Sequence, residues 1–283
     1  MVGTAPPSGQ RREASPRGPF VPPRVPAEAG TDHCIFHTSM ERCSIAGMET
    51  TTGQPTAVTG AAALPPLLRH RSVAAVCAHP DDESFGLGAV ISGLVDAGSS
   101  VGLVCLSRGE RSTLGAALDL ASRRTDELRC AAAVLGIERV TLRDHGDGSL
   151  PSVPLDRLSD DVVDAIGDAE MVLTFDHGGV TGHPDHQRAT DAAIAAARHL
   201  DVPVLGWAIP APVAATLSRE FGAPFVGRHA AELDLRLHVD RERQRRALGC
   251  HASQDNPVPR RRIELLGPDE HLRVLHDPTT TRS

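Results

Sequence analysis

Ser72-Val73-Ala74-Ala75-Val76-Cys77-Ala78-His79-Pro80-Asp81-Asp82-Glu83 is the stretch whose reading decides the fold. Its first seven residues carry no polar alternation, so they read as a β-strand buried on both faces. Pro80 then stands where a helix can begin, because a first-turn N–H would be unpaired anyway. A second run of the same grammar, Gly182-His183-Pro184-Asp185-His186, follows the apolar stretch Glu170–Phe175 about a hundred residues later and opens another helix. Both runs place imidazoles and carboxylates at strand-to-helix turns, where open α/β sheets collect their ligands.

Working outward, strands are expected at Val101–Ser107, Arg139–Leu142, Pro203–Ile209 and Leu233–Val239. Helices are expected at Glu83–Ala97, Ala116–Leu135 (stopped by Gly136), Leu155–Gly167, from the His183 motif to about His199, and near Asp240–Cys250. Short apolar strands alternating with longer helices imply βαβ units and a mostly parallel sheet. The fold class is therefore α/β: one Rossmann-like domain over residues 69–275, the sheet flanked by helices. Residues beyond about 256 are polar and Pro-punctuated and read as a short strand with a frayed tail at 276–283. Residues 1–68 are rich in Pro, Gly, Ser and Thr without any sustained period, and read as a disordered extension. Met40 and Met48 within it suggest a later translation start.

The formal charge of −7 argues against a nucleic-acid-binding surface. The run Arg241–Arg246 is interleaved with acid and amide, as on a solvated helix face. All 29 basic residues are Arg and Tyr is absent, a codon bias that says nothing of mechanism. No stretch reaches the roughly 18 apolar residues of a membrane span. With no secretory signal core at the N-terminus either, a cytoplasmic location is expected. The six cysteines (Cys34, Cys43, Cys77, Cys105, Cys130, Cys250) form no C-x-x-C pair and read as free thiols rather than a disulfide framework.

His79 and Asp82 are three residues apart, as are His183 and His186, so each pair can converge from one helical turn. Spacing alone allows several ligand sets among these four. Nitrogen and oxygen donors without thiolate suit Zn²⁺ or Fe²⁺. Asp81 is left for other work, Asp185 can orient an imidazole, and Glu83 suits a structural hydrogen bond.

At this point the motifs resemble the zinc-dependent N-deacetylases of the PIG-L/LmbE-like family. Further similarity lies in Arg124-Thr125-Asp126-Glu127-Leu128, in Asp144-His145-Gly146-Asp147-Gly148 and in His251-Ala252-Ser253-Gln254. The resemblance implies that His79, Asp82 and His186 hold zinc and that Asp81 is the general base. It implies a charged oxyanion stabiliser or general acid at His183, supported by Asp185. Arg124 and one of Asp144 or Asp147 would contact sugar hydroxyls, with Glu110 a further substrate candidate. The implied partner is a small amino-sugar conjugate that loses an N-acetyl group, with either Asp81 or His183 protonating the leaving amine. Some members carry a Tyr where this chain has Thr181, so substrate preference does not transfer directly. An amidase for a larger acyl group, a nucleotide-binding oxidoreductase and a non-catalytic zinc or sugar-binding module are the competing readings. The oxidoreductase is disfavoured because Phe85-Gly86-Leu87-Gly88 is not G-x-G-x-x-G. A homo-oligomer is compatible with the sequence.

Overall fold

The structure, a computed structural model, describes residues 65–279. Its strands are β1 (Ser72–Cys77), β2 (Ser100–Ser107), β3 (Arg139–His145), β4 (Met171–Phe175), β5 (Val204–Trp207), β6 (Ile209–Pro210), β7 (Gly227–Arg228), β8 (Leu235–His238) and β9 (Asp269–His276). Seven of them form one sheet in the order β3-β2-β1-β4-β5-β9-β8, and β6 with β7 forms a small parallel pair. The first five strands of that order are mutually parallel, whereas β9 runs antiparallel to both β5 and β8. The sheet is thus mostly parallel, as its uninterrupted apolar strands require.

The helices are α1 (Asp82–Phe85), α2 (Gly88–Asp96), α3 (Leu120–Leu135), α4 (Leu155–Ile166), α5 (Gly179–Gly182), α6 (Pro184–Leu200), α7 (Ala211–Phe221), α8 (Glu242–Leu248) and α9 (Pro257–Leu266). Two cores flank the sheet. Val73, Ala75 and Cys77 of β1 pack with Val90 and Leu94 of α2 and Leu128 and Leu135 of α3. Ala74, Val76 and Ala78 face the other way, against Leu158 and Val162 of α4 and the alanines of α6. Small residues on α6 let it lie close to the sheet, which fixes the height of the His183–His186 turn above the strand ends.

Several expectations need correction. The helix foreseen over Glu83–Ala97 is two, broken at Gly86 and Leu87, and Gly86 lies so close to Phe175 that a Cβ there would run into its ring. The helix foreseen from Ala116 begins only at Leu120, which leaves a long loop after β2. The region beyond 256 holds helix α9, whose N-cap Asn256 accepts the Val258 N–H at 3.0 Å, and β9 is an interior strand rather than a fringe. Residues 66–68 form a single 3-10 turn with Leu68 fully buried, so the packed body starts just ahead of residue 69. The rest of the foreseen disordered extension, with Met40 and Met48, and the last four residues of the foreseen tail lie outside the described residues.

The cysteine reading is corrected in part. Cys77 and Cys105 are buried free thiols, but Cys130 of α3 and Cys250 just after α8 are disulfide-bonded, with Cα atoms 5.8 Å apart. The packing of α3 against α8 brings them together across 120 residues of sequence, a proximity that spacing does not reveal. Disulfides belong mainly to oxidising surroundings, so these two cysteines lend no support to a reducing compartment. Cys34 and Cys43 lie outside the described residues. Among the described residues no helix is long and apolar enough to cross a membrane.

Candidate metal centre

The strand order reverses at β1, whose neighbours are β2 and β4. That reversal opens a crevice beyond the carboxyl ends of β1 and β4, the switch point at which such sheets bind ligands. His79 and Asp82 come from the turn after β1, and His183, Asp185 and His186 from the turn into α6. His79 Nδ1 lies 3.2 Å from His186 Nε2, and Asp82 Oδ1 lies 3.2 Å from the same His186 nitrogen. These three donors converge within 4.8 Å of one another.

The partners around this trio fit it to a divalent cation. His186 Nδ1 faces the Gly179 carbonyl at 3.1 Å, which can only accept, so the proton sits there and Nε2 points its lone pair inward. His79 Nε2 lies 3.1 Å from Asp147 Oδ1 and 3.1 Å from Asp185 Oδ2, which leaves Nδ1 as the inward nitrogen. Asp82 Oδ2 accepts the N–H groups of Ala78 and His79 at 3.1 and 3.0 Å and stands 3.9 Å from His79 Nδ1, so Oδ1, 3.2 Å from His186 Nε2, is the oxygen closer to an imidazole. Burial would raise the Asp82 carboxyl, but His186, His79 and that backbone bond hold it well below the ordinary range. Burial likewise opposes charge on His79, yet Asp147 and Asp185 raise it to about 10. A divalent ion would replace the proton on Nδ1.

A second trio, His79, His183 and Asp185, also converges. Its donors are already engaged. Asp185 accepts from Gly148 N at 2.7 Å and Leu150 N at 3.2 Å, and its own N–H donates to His183 Nδ1 at 3.2 Å. The carboxylate of Asp185 therefore orients His79, not His183 as the resemblance implied. Burial and the two neighbouring imidazoles lower the pKa of His183, which favours a neutral ring with its proton on Nε2 rather than the charged form foreseen.

Asp81 sits beside this trio with its carboxylate 3.0 Å from the Arg124 guanidinium. Burial, with the adjoining Asp82 charge, pushes Asp81 up to about 6 despite Arg124. Its backbone N–H donates to Glu83 Oε2 at 3.0 Å, and Glu83 Oε1 lies 2.7 Å from His251 Nε2. Arg124 is turned inward. It is 3% exposed and donates to the Gly109 and Pro80 carbonyls, so it braces the site's loops instead of lining the cleft for sugar hydroxyls. Gly109, at φ +62°, is required there because any Cβ would collide with that guanidinium.

Of the two acidic candidates, Asp147 in the loop after β3 reaches His79, whereas Asp144, within β3, is exposed and pairs with Arg108 at 2.7 Å. Glu110 is exposed and accepts the Asp147 N–H at 2.9 Å, which fixes that loop. Thr181 is half-buried within α5, next to Val180 at φ 63°. The links from Glu83 to His251 and from Glu127 to Ser253 (2.7 and 2.6 Å) are the contacts that sequence reading missed. The His251-to-Gln254 motif was the only sign of them.

Residues 74–197 match the family model described as PIG-L: GlcNAc-PI de-N-acetylase. A 1D-myo-inositol 2-acetamido-2-deoxy-alpha-D-glucopyranoside deacetylase of Nakamurella multipartita is 29% identical over 71% of this chain and 88% of its own length. A protein of the same description from Kineococcus radiotolerans is 31% identical over 48% of this chain and 47% of its own. The chain thus spans about half the length of several curated relatives it matches. Among solved structures, the N,N'-diacetylchitobiose deacetylase of Pyrococcus horikoshii superposes with a TM-score of 0.56 at 20% identity, covering 77% of this chain and 88% of that one. The match runs from β1 through most of α6, the part of the chain that holds both metal-ligand turns.

Proposed function

We propose that the protein is a metal-dependent N-deacetylase that removes an acetyl group from an N-acetylglucosamine-containing small molecule, with Zn²⁺ or Fe²⁺ held by His79, Asp82 and His186. One observation carries the reading. Three donor atoms converge at the switch point, and the outward-facing atom of each ligand is already engaged by a hydrogen-bond partner. Relatives named for deacetylating an inositol-linked 2-acetamido sugar and diacetylchitobiose support the substrate class.

When bound, the ion supplies Lewis acidity that lowers the pKa of water and polarises a carbonyl oxygen. The chain's own residues handle the protons. Arg124 engages Asp81 Oδ2, so Oδ1 is the oxygen that accepts a proton from the attacking water. A base so placed contributes about 10²–10⁴-fold in rate. Neutral His183, with Nδ1 engaged by the Asp185 N–H, donates from Nε2 to the developing oxyanion. The leaving amine recovers the proton from Asp81.

Acetate release from N-acetylglucosamine conjugates differing only in aglycone tests this reading. Chelation is expected to abolish release and added Zn²⁺ to restore it. Release that survives complete metal removal would refute the metal role. Release only from longer acyl amides would favour the larger-acyl amidase.

A further inference from the structure

We propose that Glu83 and His251 are positioning residues that hold the backbone of Asp81 in the orientation its base role requires; the inference rests on that role. Asp81 has φ 127° and ψ −26°, a conformation that a residue with a side chain keeps only when its surroundings enforce it. Such a backbone costs on the order of 1–3 kcal/mol. Two sets of contacts enforce it. The Asp81 carbonyl accepts the Ser84 and Phe85 N–H groups at 3.0 and 2.7 Å, as the start of α1 dictates. The Asp81 N–H, on the other side of the strained bond, is taken by Glu83 Oε2 at 3.0 Å.

That second contact depends on a distant part of the chain. Glu83 Oε1 is engaged by the Ser84 hydroxyl at 2.5 Å and by His251 Nε2 at 2.7 Å, so the two carboxylate oxygens are fixed in different directions. Glu83 and His251 are both fully buried, so bulk water does not compete for either contact. Three consecutive acidic residues crowd this turn, and His251 supplies the imidazole that faces the third. Burial opposes charge on His251, but Glu83 raises its pKa, consistent with a charge-assisted bond. Without His251 the Glu83 side chain can rotate about its terminal bonds and release the Asp81 N–H. A base displaced by about 1 Å costs about 100-fold in rate.

The test measures kcat, KM and bound metal per chain for His251→Ala, His251→Gln and Glu83→Gln, beside Asp81→Asn and the double variant with His251→Ala. His251→Ala and Glu83→Gln are expected to lose about 100-fold in kcat, with KM within about twofold and metal content unchanged. His251→Gln, whose amide can still donate to Glu83, is expected to recover most of the loss. Adding His251→Ala to Asp81→Asn is expected to cost nothing further. Unchanged kcat in the folded variants, KM and metal content falling together with kcat, or losses that multiply in the double variant would each overturn the proposal. If His251→Ala does not fold, the isosteric Glu83→Gln decides. Asp81→Asn at wild-type kcat removes the base role and the proposal with it, whereas failure confined to the His251 and Glu83 variants removes the proposal alone.

Discussion

Asp185 divides its carboxylate among three hydrogen bonds. Oδ2 meets His79 Nε2 at 3.1 Å and Gly148 N at 2.7 Å, while Oδ1 accepts from Leu150 N at 3.2 Å. It is thereby both the partner that turns a ligand imidazole and the peg that ties the loop after β3 to α6. Asp185→Asn is expected to weaken metal affinity by about 10–100-fold, the usual cost of losing a ligand's hydrogen-bond partner. Competition against a chromophoric chelator measures this. Affinity left intact with kcat reduced would instead assign Asp185 to His183. The residue types and spacing of the two turns were legible in sequence because each ligand pair lies within one helical turn. Which imidazole Asp185 serves was not legible, since it depends on how α6 sits against residues 147–150.

At the scale of elements, two ties hold the periphery of the site. The first is the Cys130–Cys250 bond between α3 and the end of α8, the residue before His251. A loop of 120 residues closed by a disulfide contributes up to about 5 kcal/mol by the chain-entropy estimate. Reduction, or Cys130→Ser, is therefore expected to lower the urea midpoint clearly; an unchanged midpoint would mean that the bond is not a stabilising one. The second tie is Asp176, just after β4, which receives Arg228 at 2.6 Å, the Arg273 guanidinium and the Gly178 N–H at 3.0 Å. Burial raises its pKa, but these donors outweigh burial and hold it below the ordinary value. A depressed pKa contributes stability that is complete above the unfolded value, about 3.9, and is lost as pH falls through the folded value. Asp176→Asn should thus cost about 2–3 kcal/mol at neutral pH, with the gap closing only in acid. Urea unfolding across a pH series checks it, and a gap that stays constant into acid would contradict it.

For the molecule as a whole, the alternating strands and helices up to β5 were legible because each is a continuous apolar or amphipathic segment. Beyond β5 the pattern fails for identifiable reasons. Helix α7 starts between Pro210 and Pro212, and α9 carries Pro257, Pro259 and three consecutive arginines, a composition that resembles a loop. Strand β9 opens with Asp269, Glu270 and His271, which look solvent-facing. Yet Glu270 is fully buried, because Arg241 meets it at 2.5 Å and the Trp207 indole N–H at 2.6 Å. Those partners lie 29 and 63 residues away, so no local pattern could announce them.

The interior place of β9 carries a consequence for how the protein is made. β5 and β8 both leave the ribosome before β9 and are joined in the sheet through it, so each waits with an open edge until β9 is synthesised. Arg241 emerges earlier still than the carboxylate that neutralises it. The metal-ligand turns precede β9 in the chain, but the sheet beside them closes only once β9 has emerged. A ribosome that stalls before β9 would release a chain with its ligand motifs complete and the edges of β5 and β8 that β9 covers exposed, a substrate for quality control rather than an active enzyme.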